Sequence, residues 1–84
     1  MYFIYILQST QDERLYVGYT ENIRNRLKTH NKGSVPSTKS QRPWKLLFFE
    51  CYTNQSDALR REKYFKTTVG KRALKLMLRE TLKR

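Results

Sequence analysis

One cysteine and one histidine in 84 residues exclude a Cys/His zinc site built by this chain alone, and a lone Cys51 excludes any disulfide within a monomer. Such sparing cysteine use suits a reducing compartment, and the expected location is cytoplasmic. No apolar run is long enough to span a membrane. The opening stretch Phe3 to Leu7 is too short for the apolar region of a secretion signal, lacks a basic segment before it, and runs directly into Gln8-Ser9-Thr10-Gln11-Asp12. There is no internal repeat or low-complexity tract. The length suits one domain over residues 1–84, with about 60–65% of the unfolded surface buried and no room for a separate substrate domain.

Acidic residues are also scarce. Seven Asp and Glu stand against 18 Lys and Arg, for a formal charge of +11. A chain this cationic points to a polyanionic partner, because released counterions drive such association, and nucleic acid is the natural one. The charges are not gathered on one amphipathic helix, which argues against a membrane-surface role.

Hydrophobic patterning gives the elements. Tyr2 to Leu7 is aromatic and β-branched up to Leu7 and reads as a strand; Ser9 to Glu13 turns, and Leu15 to Tyr19 resumes as the second arm of an antiparallel hairpin. Thr20 is the expected N-cap of a helix running to about Asn31 and ending near Gly33, with Ile23 and Leu27 on its apolar face. Residues 31–43 shift to Ser, Thr, Lys, Gly and Pro and read as an exposed loop. Trp44 to Tyr52, the most hydrophobic run, reads as a strand buried on both faces through its middle and set against the hairpin. A helix over Asp57 to Val69 follows, capped from 53–56 and broken at Gly70, and a last helix over Lys71 to Leu82 turns Leu74, Met77, Leu78 and Leu82 inward. The order ββαβαα predicts an α/β fold, a small three-stranded antiparallel sheet with helices packed on it.

Several residues stand out as chemistry. At 100° per residue, Glu62 falls among Leu59, Phe65 and Val69, the one carboxylate placed in an apolar stripe, and such a carboxylate calls for a partner, an arginine or a metal ion. Tyr5 and Tyr16 share a sheet face if paired residue numbers sum to an odd value. Gly18 within the second strand marks a close approach by another group. Arg26 and His30, four residues apart, flank the Ile23 and Leu27 stripe and lean over the sheet edge. Lys28, Lys32, Lys39 and Arg42 are the expected nucleic-acid contacts.

Phe3-Ile4-Tyr5, then Tyr16-Val17-Gly18, then Arg26 and His30 on the next helix and Glu62 on a later one, resembles the GIY-YIG nuclease superfamily. The likeness is best to its small standalone bacterial members of the UPF0213 type and covers nearly the whole chain. It departs from the pattern at Phe3, where the family name has Gly, at Val17 for Ile, and in having no asparagine after Asn54, where several family nucleases carry one beyond the metal glutamate. The resemblance implies divalent-metal-dependent phosphodiester hydrolysis on DNA, with RNA not excluded, one Mg²⁺ or Mn²⁺ held by Glu62, and Tyr5, Tyr16, Arg26 and His30 in the catalytic site. Without a second domain to read bases, the expected preference is for DNA structure, single-stranded, branched or damaged, as a repair or recombination enzyme would need.

That chemistry is physically demanding at one point. A tyrosine of pKa near 10 is only about 0.1% ionised at neutral pH, and lowering it by about three units takes roughly 4 kcal/mol. One cation about 4 Å away, at an effective dielectric near 20, supplies that order of magnitude, so Arg26 or the metal suffices in principle for either tyrosine. Two other readings need less. A non-catalytic nucleic-acid-binding module would use the basic surface with tyrosines and Trp44 for stacking, and a basic structural protein would leave Glu62 in an ion pair with Arg26.

Overall fold

The computed structural model describes residues 1–83. β1 (Tyr2–Ser9) and β2 (Leu15–Thr20) form the hairpin, followed by α1 (Ile23–Lys32), a short 3₁₀ turn at Lys39–Gln41, β3 (Trp44–Tyr52), α2 (Gln55–Phe65) and α3 (Thr68–Met77). The expected ββαβαα order holds, and the sheet is antiparallel in the order β2-β1-β3.

Side-chain alternation divides the molecule into two cores. Ile4, Ile6 and Val17 point to one face and pack with Ala58 and Phe65 of α2 and Leu74 of α3. Tyr5 and Leu7 point to the other, against Trp44, Leu46, Tyr16 and Leu27 of α1. Helices thus cover both faces, and α1 alone lies over the face that carries the tyrosines.

β3 is not buried on both faces as its composition suggested; its central residues 46–48 are only half-buried and Phe49 is 49% exposed. A β-bulge explains the run of apolar residues. Ile6 pairs with Phe48 but Leu7 pairs with Leu46, so Leu47 is the extra residue and the strand changes face there. Trp44 and Leu46 can therefore share a face with Phe49, which strict alternation would forbid.

Helix ends differ from expectation for local reasons. Asn22, not Thr20, caps α1 by accepting from the Asn25 amide at 3.0 Å, because Thr20 is still paired to Phe3 in the sheet. α2 stops at Phe65 rather than Val69, because Thr67 accepts from the Gly70 amide at 3.0 Å and starts α3. Gly70 is therefore inside a helix rather than a breaker. A Cβ there would lie 1.8 Å from the Tyr64 carbonyl oxygen, so glycine is what lets the two helices join so tightly. Leu74 and Leu78 face inward, Leu82 packs at the core margin, and Met77 turns outward at 44% exposure.

α2 is tied to β3 by a polar link that sequence reading missed. Arg61 donates twice to Glu50, Nε to Oε1 at 2.9 Å and Nη2 to Oε2 at 3.1 Å, while its guanidinium lies 4.2 Å from the Phe65 ring centroid. Tyr52 donates to the same carboxylate at 2.6 Å. Burial opposes the Glu50 charge, but these hydrogen bonds outweigh it and hold the carboxyl below its ordinary pKa.

Candidate active site

The β1–β2 register sets Tyr5 opposite Gly18 and Leu7 opposite Tyr16, sums that are odd, so the two tyrosines share a face. Their ring centroids are 6.3 Å apart. Gly18 is required by this geometry: a Cβ there would stand 2.2 Å from Tyr5 Cζ and 2.3 Å from its hydroxyl. The phenol of Tyr5 lies across the bare backbone of β2.

α1 brings Arg26 and His30 onto the same face. The Tyr5 hydroxyl is 2.8 Å from His30 Nε2 and accepts from Arg26 Nε at 3.4 Å. His30 is fully buried, and its Nδ1 lies 2.8 Å from Thr38 Oγ1, whose own hydroxyl reaches the Val35 carbonyl at 3.4 Å. The pattern that uses every donor runs one way: Tyr5 O–H to Nε2, Nδ1–H to Thr38, and Thr38 O–H to Val35. Burial first, and the Arg26 charge second, lower the His30 pKa to about 4, so the ring is neutral at neutral pH. Both its nitrogens are engaged within the protein, and no buried side-chain polar atom among the described residues lacks a partner.

Thr38 is the residue that sequence reading missed. The loop over 33–43 is not simply exposed: Trp44 Nε1 donates to the Thr38 carbonyl at 2.8 Å, and Asn31 both donates to the Trp44 carbonyl and accepts from its amide. Ser9 and Thr10 of the hairpin tie down its far end at Gln41 and Pro43. The available signal was a threonine eight residues after His30. Trp44 is 4% exposed and packs edge-on against Tyr16, which removes it as a base-stacking platform.

Burial separates the two tyrosines. Burial raises the Tyr5 pKa, outweighing the Arg26 hydrogen bond that lowers it, and the charges of Tyr16 and Glu62 raise it further. Arg26 therefore does not make a phenolate of Tyr5, contrary to the simple Coulomb expectation. Tyr16 is only half-buried, its ring 5.0 Å from that of His30. Arg26 is in turn held above its ordinary pKa, chiefly by its hydrogen bond with Tyr5.

Glu62 lies on α2, which packs on the face of the sheet opposite the tyrosines, and its charge is the smallest of the influences that raise or lower the Tyr5 pKa. Its setting differs from the expected stripe. The buried face of α2 is formed by Ala58 and Phe65; Leu59 is 42% exposed, Val69 lies beyond the helix, and Glu62 sits at the margin with its side chain 21% exposed. Its partner is Lys66, one turn on, at 3.1 Å, rather than Arg26. That lysine is half-exposed, so the pair is weak. No group of three or more His, Cys, Asp or Glu converges among the described residues. A lone carboxylate still fits an ion of the Mg²⁺ kind, which takes one or two carboxylates and completes its shell with water and phosphate oxygens.

The expected nucleic-acid contacts fall in two places. Lys28 and Lys32 are exposed on α1. Lys39 and Arg42 converge on Gly33 at the C-terminal end of that helix; Gly33 has φ +83°, and the Arg42 guanidinium occupies the space a Cβ there would need. A cation at a helix C-terminus is also favoured by the helix dipole, so Arg42 suits the end of α1 as well as a phosphate.

A family model described as the GIY-YIG catalytic domain matches residues 1–75. This chain belongs to the GIY-YIG family. It is 37% identical over 84 residues to a UPF0213 protein of Clostridium perfringens, covering 99% of this chain and 89% of that one. A UPF0213 protein of Lactococcus lactis is 42% identical over 84 residues, covering 98% and 80%. The solution NMR structure of a UPF0213 protein from Bacillus halodurans superposes with a TM-score of 0.56 at 27% identity, covering 92% of this chain and 85% of that one. GIY-YIG domains form a nuclease family, generally dependent on divalent metals and acting on nucleic acid. Among the described residues no helix is long and apolar enough to cross a membrane.

Proposed function

We propose that the protein is a metal-dependent endonuclease that hydrolyses phosphodiester bonds in DNA at the Tyr5, Tyr16, Arg26, His30 and Glu62 cluster. The observation that carries this reading is the convergence of both tyrosines, the arginine and the histidine on one sheet face. An exposed Cys51 without a disulfide partner suits action in the reducing cytoplasm.

The roles divide by burial. Tyr16, half-buried, faces the attacking water and takes its proton. Tyr5 is the buried donor: it stays protonated, gives its hydrogen bond to His30, and holds Arg26 in place. Arg26 presents its remaining guanidinium donors to non-bridging phosphate oxygens, a fork geometry that lysine cannot reproduce. His30 and Thr38 are positioning residues for Tyr5. Glu62 would hold one Mg²⁺ or Mn²⁺ after releasing Lys66, and that ion, when bound, supplies Lewis-acid stabilisation of charge on the phosphate and the departing oxygen. Lys28, Lys32, Lys39 and Arg42 steer the backbone towards α1.

Tyr16→Phe tests the assignment. It is expected to reduce single-turnover cleavage by about 100-fold or more, the usual worth of a positioned acid or base, with DNA affinity within about twofold. Wild-type cleavage by this variant would remove Tyr16 from the chemistry.

A further inference from the structure

A shallow groove runs between α1 and β3, on the opposite flank of α1 from Arg26. It is lined by Phe3, Ile23, Arg24, Leu27, Leu46 and Phe49 and encloses about 400 Å³. Its floor is aromatic and accessible: Phe49 is 49% exposed, and Phe3, half-buried, meets it edge to face with centroids 5.9 Å apart at 64°. Packing against one neighbouring edge leaves much of the Phe49 ring open to water. The groove continues the proposed active site, because Phe49 pairs directly with Tyr5 in the β1–β3 ladder and Phe3 is two residues from Tyr5 on the same face.

We infer that this groove is a stacking site for an unpaired nucleobase of a single-stranded nucleic acid, resting on the nuclease reading above and narrowing its substrate. Every base has a flat π-face that an exposed aromatic ring can cover, independent of sequence. A base within a duplex has both faces covered by its neighbours and is not available to Phe49. Arg24 is exposed at the rim, with no ion pair among the described residues, and supplies the cation for the adjoining phosphate. Arg26 lies on the other flank of the same helix, so a strand crossing α1 would put one phosphate at Arg26 while a base a few nucleotides away stacks on Phe49. A second copy of this chain fits the groove less well, since self-association would bring the Arg24 side chains and two strongly cationic molecules together.

Equilibrium binding of a short labelled single strand and of a matched duplex, in EDTA so that nothing is cleaved, decides the matter. Phe49→Ala is expected to weaken single-strand binding by about 5- to 150-fold, the range for loss of one stacked base, with duplex affinity within about twofold. A strand carrying abasic sites throughout should bind the wild type as weakly as the normal strand binds Phe49→Ala. Phe49→Trp should keep the affinity and Phe49→Leu should lose it, a pair that preserves apolar bulk and isolates stacking from folding. Equal single-strand binding by Phe49→Trp and Phe49→Leu, or a dimer in sedimentation that Phe49→Ala dissociates, would overturn the inference. Because binding is read without turnover, a protein that cleaves nothing would refute the nuclease reading and leave this result interpretable.

Discussion

Gly18→Ala is the smallest change that should disable the proposed site. An added methyl would stand 2.2 Å from Tyr5 Cζ and 2.3 Å from its oxygen, where ordinary carbon contacts begin near 3.4 Å. Relief therefore requires the phenol to move by more than about 1 Å. Tyr5 has nowhere near to go, being 2% exposed and packed with Leu7 and Trp44. The movement lengthens the 2.8 Å bond to His30 and the 3.4 Å contact from Arg26 together. Leaving those buried groups poorly paired costs about 1–3 kcal/mol, and overpacking costs a similar amount. The strand propensity gained over glycine offsets at most about 1 kcal/mol. A displacement of about 1 Å in a catalytic constellation typically costs about 100-fold in rate. Chemical denaturation and single-turnover cleavage of Gly18→Ala should thus show destabilisation of about 3 kcal/mol together with that loss of rate. Unchanged stability and full activity would mean that Tyr5 does not lie over Gly18 as described.

Acid should weaken the fold through His30. Its folded pKa of about 4 lies below the ordinary 6.5, so the neutral ring contributes stability that is complete above pH 6.5 and is lost as pH falls towards 4. Between pH 7 and pH 5 the loss is about 2 kcal/mol, and a denaturation series on His30→Asn should show this part of the slope removed. Gly70→Ala would drive a methyl to 1.8 Å from the Tyr64 carbonyl oxygen, backbone against backbone. Destabilisation of about 3 kcal/mol is expected, a fall in Tm of more than about 10 °C in a thermal melt, whereas helix propensity alone predicts a rise.

Local signals made the architecture legible and long-range contacts hid the rest. The aromatic and β-branched runs around Tyr5 and Val17, and the apolar spacing of Ile23 and Leu27, were enough for the ββαβαα order. Parity arithmetic stated the condition for Tyr5 and Tyr16 to share a face, and the register meets it. The bulge at Leu47 carried no residue signature, so a run produced by a strand changing faces looked like a strand buried on both. Thr38 was invisible for a different reason: its partners His30 and Trp44 become neighbours only once the loop folds back on α1. Wheel geometry put Glu62 near an apolar face, but Thr67 starts a new helix that carries Val69 away from it, and Leu59 is left 42% exposed. The rise in the Tyr5 pKa followed from burial, which a charge count alone does not contain.

The most direct test of the nuclease account is cleavage of single-stranded, duplex and branched DNAs at low salt with Mg²⁺, Mn²⁺ or EDTA, wild type beside Glu62→Gln. The account predicts metal-dependent cleavage by the wild type that Glu62→Gln abolishes while DNA binding is retained. Binding by both proteins with no cleavage of any substrate in either metal would contradict it, and would leave a nucleic-acid-binding module with Glu62 serving only its ion pair to Lys66.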